Sequence, residues 1–152
     1  DPTCDGTGGS TTWTSSSRTV SQSCKDSHSG CTKTSYSKTF SSSAKTGTIE
    51  ISDNVGNKNS CSVNVYVDKT APSVSLSCSE VDYNDPAGYQ SCSVSCSDSH
   101  SGTSSKGICK SSSSSSCTPS MGKSSVGYYA NKDWGLCGKC VDSAGNSKSK
   151  CR

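Results

Sequence analysis

The sequence predicts an all-β protein, built as two tandem units and held together by disulfide bonds. Three observations carry that prediction. Twelve cysteines stand in a chain of 152 residues, about a quarter of which are serine. Leu, Ile, Val and Phe together number only 16, a content at which chains ordinarily stay disordered. An ordered set of turns and cysteines also occurs twice. Ordering a backbone costs about 1–2 kcal/mol per residue, which so little apolar surface does not offset. A disulfide contributes about 2–4 kcal/mol, mainly by restricting the unfolded chain. The cysteines therefore read as the framework of the fold, and their even number suggests full pairing. They also point to an oxidising compartment, secreted or on a cell surface.

The repeat sets the domain organisation. Cys24-Lys25-Asp26-Ser27-His28-Ser29-Gly30 recurs as Cys96-Ser97-Asp98-Ser99-His100-Ser101-Gly102, and Asp53-Asn54-Val55-Gly56-Asn57 recurs as Asp142-Ser143-Ala144-Gly145-Asn146. Each second motif is followed shortly by a cysteine, Cys61 or Cys151. Two domains are expected, residues 1–70 and 71–152, joined near Asp68-Lys69-Thr70-Ala71-Pro72. The first holds Cys4, Cys24, Cys31 and Cys61, and the second holds Cys78, Cys92, Cys96, Cys109, Cys117, Cys137, Cys140 and Cys151. Both sets are even, so each domain can close its own bridges.

The elements follow from alternation with period two. Ile49 and Ile51 flank Glu50. Cys61, Val63, Val65 and Val67 alternate with Ser62, Asn64 and Tyr66, a strand with one buried face. Val74, Leu76 and Cys78 alternate with serines, and so do Cys92, Val94 and Cys96. Cysteine thus stands at inward positions where Val or Leu is usual; aligning Cys24 with Cys96 sets Val20 against Cys92. No useful helical period occurs, and serine disfavours helix. Asp53, Gly56 and Asn57, like Asp142, Gly145 and Asn146, read as hairpin turns in which Gly supplies positive φ and Asp and Asn bond their own backbone. Asp26 with Gly30, and Asp98 with Gly102, read as turns of the same kind. The serine run from Ser111 to Ser116 reads as a polar loop tied at both sides by Cys109 and Cys117 rather than as a hinge. Cys109–Cys117 is one compatible bridge. Cys24–Cys61 or Cys4–Cys24 in the first domain, and Cys78–Cys96 or Cys140–Cys151 in the second, fit neighbouring strands, and the spacing alone does not choose among them.

Taken in order, Trp13-Thr14, Thr19-Val20-Ser21, the two Asp-x-x-Ser-Gly turns, the two Asp-x-x-Gly-Asn turns and the Asp68–Pro72 junction resemble bacterial immunoglobulin-like repeats. Such repeats stand in tandem in large surface and secreted proteins. The resemblance covers nearly the whole chain, in two copies. It implies a tandem pair of immunoglobulin-like β-sandwich domains, seven-stranded or similar, with Asp-x-x-Gly-Asn between the last two strands. It further implies that the first domain begins late, its initial strand cut short, since Cys4 matches Cys78. The start at Asp1 rather than Met reads as excision from a longer precursor, with neighbouring repeats as partners. The chain departs from the family in cysteine density and scarcity of aliphatics. In the second domain Tyr83-Asn84-Asp85-Pro86 stands where Trp-Thr is expected.

Several functions lose support from the residues themselves. The net charge is +3 with lysines scattered singly, which disfavours a nucleic-acid surface. No apolar stretch approaches the ~20 residues of a membrane span. His28 and His100 each follow an aspartate in a turn, and the serines around them are there by abundance, without a strand–elbow–helix context for a nucleophile. One Asp-x-His pair per domain supplies half of a zinc site. Calcium at Asp53, Asn54 and Asn57, or at Asp142 and Asn146, would need six to eight oxygens at residues already explained as turns. Cys137-Gly138-Lys139-Cys140 has the spacing of a zinc or redox motif but sits among cysteines better read as half-cystines. No catalytic residue, resident metal or cofactor is expected.

Recognition is the stronger alternative. Tyr128, Tyr129 and Trp134 cluster in the second domain, and Trp13 and Tyr36 stand in the first. Trp13 and Trp134 read as core. Of Tyr128 and Tyr129, strand alternation turns one outward. The expectation is a non-catalytic extracellular stalk or adhesive display module of a bacterial protein. The competing reading is a module that engages a host glycan or protein through Tyr128, Tyr129, Lys123 and the loop from Lys106 to Lys123. A secreted cysteine-rich toxin or inhibitor ranks third.

Overall fold

A computed structural model describes residues 1–112 and 116–152. Every element among them is extended, and the chain divides into two compact units, Asp1–Thr70 and Ala71–Arg152. The first unit contains β1 (Thr3–Asp5), β2 (Arg18–Lys25), β3 (Ser35–Phe40), β4 (Ala44–Ser52) and β5 (Lys58–Val67). These form an antiparallel sheet in the order β1-β2-β3 and a β4-β5 hairpin. The second unit contains β6 (Ser73–Cys78), β7 (Tyr89–Ser97), β8 (Thr103–Ser111), β9 (Ser120–Met121), β10 (Ser125–Tyr129), β11 (Gly135–Asp142) and β12 (Ser147–Cys151). Its sheets run β10-β7-β6 and β12-β11-β8-β9.

In each unit both sheets send side chains into one core. Val20 of β2, Ile49 of β4 and Val63, Val65 and Val67 of β5 make the first, edged by Tyr36, Phe40 and Ala44. The inward residues of β5 are buried in strict alternation, the pattern that a half-covered strand dictates. The second core joins Cys92 and Val94 of β7, Ile108 of β8 and Leu136 and Cys140 of β11. At Gly138, between Leu136 and Cys140, an added Cβ would come within 2.8 Å of Leu76 and Val94, so bare backbone lets the two sheets approach.

All twelve cysteines are paired, as Cys4–Cys61, Cys24–Cys31, Cys78–Cys92, Cys96–Cys140, Cys109–Cys117 and Cys137–Cys151. Cys109–Cys117 occurs as read from the spacing. The other compatible pairs, Cys24–Cys61, Cys4–Cys24, Cys78–Cys96 and Cys140–Cys151, do not form. Cys4 lies directly opposite Cys24 in the β1–β2 register, yet it bonds to Cys61 of β5, while Cys24 closes the short turn to Cys31. The serine run between Cys109 and Cys117 falls outside the described residues at positions 113–115.

Two differences between the units bear on the sequence reading. Cys4 faces Cys24 on β2, and the residue facing Cys96 on β7 is Val74, so Cys4 matches Val74 rather than Cys78. Strand β6 runs on to Cys78, whereas β1 stops at Asp5 and the chain leaves through Gly6, Gly8 and Gly9 to make a parallel bridge to Asn64 of β5. Gly9 (φ +95°) permits that switch, because a Cβ there would overlap the Asn64 carbonyl. The second difference is β8: its counterpart in the first unit shrinks to a single bridge, Cys31 to Asp53.

Candidate functional site

The repeated turns are built alike in both units. After β2, the Asp26 carboxylate accepts the amides of His28, Ser29 and Gly30 at 2.9–3.0 Å. After β7, Asp98 accepts those of His100, Ser101 and Gly102 at 2.9–3.0 Å. Asp53 accepts the amides of Val55 and Asn57 at 3.0 and 2.8 Å and the Asn57 side-chain amide at 2.8 Å; Asp142 treats Ala144 and Asn146 in the same way. Gly30, Gly56, Gly102 and Gly145 all carry positive φ. The two turns of a unit are also tied together. Asn54 donates its backbone amide to the Gly30 carbonyl at 3.0 Å, and Ser143 donates to Gly102 at 2.9 Å. Each aspartate thus satisfies amides that a tight reversal would otherwise leave unpaired. His28 and His100 sit exposed on these turns, each ring beside the preceding serine hydroxyl.

Asp26 and Asp53 approach one another in the first unit, where the Asp1 ammonium lies 3.3 Å from one carboxylate and 3.9 Å from the other. The His28 amide, aided by those of Gly30 and Ser29 and by the ammonium, outweighs burial and holds the Asp26 carboxyl down at about 2. At Asp53 burial acts upward, but the Asn57 side chain and amide and the Val55 amide prevail and lower it. A depressed carboxyl contributes stability that is complete above its unfolded value of about 3.9 and vanishes as pH falls through the folded one. The melting temperature of the first unit is therefore expected to drop between about pH 4 and about pH 2. Thermal scans across that window test this; Asp26→Asn should flatten the drop, and a wild-type curve already flat there contradicts it.

A second constellation lies on the far strands of the second unit. Tyr128 and Tyr129 both fall in β10, facing opposite ways. Tyr128 packs against the core and donates its hydroxyl to the Asp133 carbonyl at 2.9 Å. Tyr129 turns outward, its ring 5.2 Å from that of Tyr89, with the Lys110 and Lys132 ammonium groups 4.8 and 5.7 Å from its centroid. Buried Asp133 anchors the group, accepting the Tyr129 amide at 2.7 Å and the Lys110 ammonium at 3.2 Å. The next residue, Trp134, is 73% exposed, and Tyr83 in the loop between β6 and β7 is 92% exposed. Trp134 therefore does not belong to the core, in contrast to its sequence reading. It directly follows buried Asp133, just before β11. Trp13 packs at the edge of the first unit, 4.9 Å from the Tyr66 ring.

The cations over Tyr129 are Lys132, which the sequence did not single out, and Lys110, which falls in the Lys106 to Lys123 segment but on strand β8 rather than in a loop, whereas Lys123 stands exposed in the turn after β9. Nothing in the spacing joins Lys110 to residue 129; the β8–β11 pairing and the loop before β11 do. A recess of about 260 Å³, lined by Cys96 and residues 103–106, carries hydroxyls and one lysine.

No family model, curated protein or solved structure matches this chain. What the fold itself defines is an all-β, disulfide-rich protein, and its six bridges fit an oxidising compartment. Among the described residues no helix is long and apolar enough to cross a membrane.

Proposed function

We propose that the chain is a non-catalytic structural and display module of a bacterial surface or secreted protein, its two units being immunoglobulin-like β-sandwiches within a longer run of repeats. Strand order supports the fold: β6, β7 and β10 share one sheet and β8, β11 and β12 the other, and Cys96–Cys140 joins the second strand of the unit to the penultimate one across the sheets. Antibody domains carry their inter-sheet bridge between the corresponding strands.

The observation that carries the stalk reading is the covalent path from end to end. Cys4–Cys61 lets tension bypass 57 residues. In the second unit the shortest path runs to Cys78, crosses to Cys92, crosses again from Cys96 to Cys140, returns to Cys137 and leaves at Cys151. A pulled chain can lengthen only through the segments outside these loops. Fully extended, the 57 bypassed residues alone would otherwise yield about 200 Å at ~3.5 Å per residue. Pulling single molecules from their two ends is the test. The oxidised protein should show no lengthening step of that size, and the reduced protein should show it for each unit; long steps before reduction would refute the stalk.

The exposed Trp134 and the Tyr129–Lys110–Lys132 group favour a second reading, capture of a host glycan or protein by the second unit. Aromatic faces stack on sugars, and cations beside them favour an acidic partner. Trp134→Ala and Tyr129→Ala should then abolish capture on a glycan and host-protein array while leaving the melting temperature of the protein intact. An array silent for the unmodified protein leaves the stalk alone.

A further inference from the structure

Three adjacent strands of the second unit carry a row of cysteines. In the β11–β12 register Cys137 faces Cys151, and in the β8–β11 register the same Cys137 faces Cys109. Cys109 is bonded to Cys117, and the sulfurs of Cys109, Cys117 and Cys137 all lie within 4.8 Å of one another. Two disulfides are thus packed side by side.

The cluster lies on the outer face of its sheet. Leu136 and Cys140 point into the core, and so does Ile108 of β8, so the alternating Cys137 and Cys109 point the other way. Neither belongs to the core cluster. Cys137 is nonetheless fully buried, whereas Cys151 is exposed and Cys109 and Cys117 are partly so. Buried Cys137 therefore sits between its partner Cys151 and the Cys109–Cys117 bridge, whose residues are more exposed than it is.

We propose that Cys109, Cys117, Cys137 and Cys151 form a thiol–disulfide exchange site that captures a small thiol, or a cysteine of a partner, at Cys151. The incoming thiolate attacks the sulfur of Cys151, an exposed residue. The Cys137–Cys151 bond breaks, a mixed disulfide forms at Cys151, and the electron pair leaves on Cys137 as thiolate. Cys137 then attacks the sulfur of Cys109, which forms a Cys109–Cys137 bond and expels Cys117 as thiolate. One sulfur–sulfur bond is made for each one broken, so no outside oxidant is needed. Entry at Cys117 instead frees Cys109 beside Cys137 and gives the same central bridge. That bridge has precedent in this unit, since Cys78–Cys92 and Cys137–Cys151 both join directly opposed residues of antiparallel neighbours, as Cys109 and Cys137 are. The Cys96–Cys140 bridge lies on the core side and stays in place during the exchange.

Cys151→Ser provides the direct test, because the variant begins with Cys137 as a thiol and needs no reductant. The folded protein is held near the ~8.5 pKa of a free thiol, alkylated with iodoacetamide and mapped by mass spectrometry. The label is expected to move from Cys137 to Cys117, together with a Cys109–Cys137 linked peptide. Label confined to Cys137, with Cys109–Cys117 retained, overturns the proposal. Should this variant fold poorly, the unmodified protein treated with limiting glutathione gives a second reading. Glutathione on Cys151 or Cys117 with Cys109 linked to Cys137, in protein that keeps its β circular dichroism, upholds the site. Adducts that appear only once the fold is lost, or that leave Cys109–Cys117 intact, refute it.

Discussion

Replacing Cys96 and Cys140 together with alanine is expected to cost the second unit about 4 kcal/mol and to leave it largely unfolded at body temperature. The bridge spans 44 residues, and for a loop of that length the entropy restored to the unfolded chain comes to about 4 kcal/mol. A small domain commands only about 5–15 kcal/mol in total. The location adds to the length. Cys96–Cys140 joins β7 to β11, the two sheets of the unit, whereas Cys78–Cys92 and Cys137–Cys151 each stay within one sheet. Cys140 is also fully buried beside Leu136 and Val94, so its loss opens a gap in a core that has little else to close it. The comparison is the Cys24→Ala/Cys31→Ala pair, which releases a loop of 7 residues and should cost about 2.5 kcal/mol. Urea unfolding of the two double variants, each followed through the midpoint and slope, tests the ranking. Equal losses would show that the crosslinks act mainly through local geometry and not through chain entropy.

The same contrast explains how far the sequence could be read. Strand identity was legible because alternation is local: Cys61, Val63, Val65 and Val67 sit in β5 with every one of them buried. The turns were legible for the same reason, since Asp53 braces residues only two and four positions away. Bridge partners were not, apart from Cys109–Cys117. Several cysteines meet only in the assembled sheets, where Cys78 and Cys137 bond the residues directly opposite them and Cys4 passes over the one opposite it. Trp134 was misread by a rule of composition, that a chain poor in aliphatics needs its aromatics inside. The loop that carries it is instead fixed by buried Asp133, and that leaves the indole in solvent. The cysteine row escaped notice because Cys109, Cys137 and Cys151 are far apart in sequence and meet only through two strand registers.

Gln22 is the residue whose weight no local pattern reveals. It occupies an inward position on β2, two residues from the core Val20, and is wholly buried. Its side-chain oxygen accepts the Gly8 amide at 2.9 Å, and its side-chain nitrogen donates to the carbonyls of Gly6 and Ser23 at 3.0 Å and of Asp5 at 3.4 Å. These backbone groups lie where the chain leaves β1, beside β2, and crosses to β5. Gln22→Leu keeps the bulk and removes every one of those bonds. Orphaned buried polar groups cost about 1–3 kcal/mol each, and with partial hydration at the crossing the loss should come to about 2–4 kcal/mol. Gln22→Glu separates hydrogen bonding from shape: a carboxylate there would face the carbonyls its predecessor served. Burial raises the pKa of such a group, so the variant should gain stability as acid protonates it. Its melting temperature should then rise from neutral pH to about pH 5, above the range where the Asp26 turn weakens. If Gln22→Leu melts with the unmodified protein, the crossing is held by its glycines alone and the glutamine is a passenger.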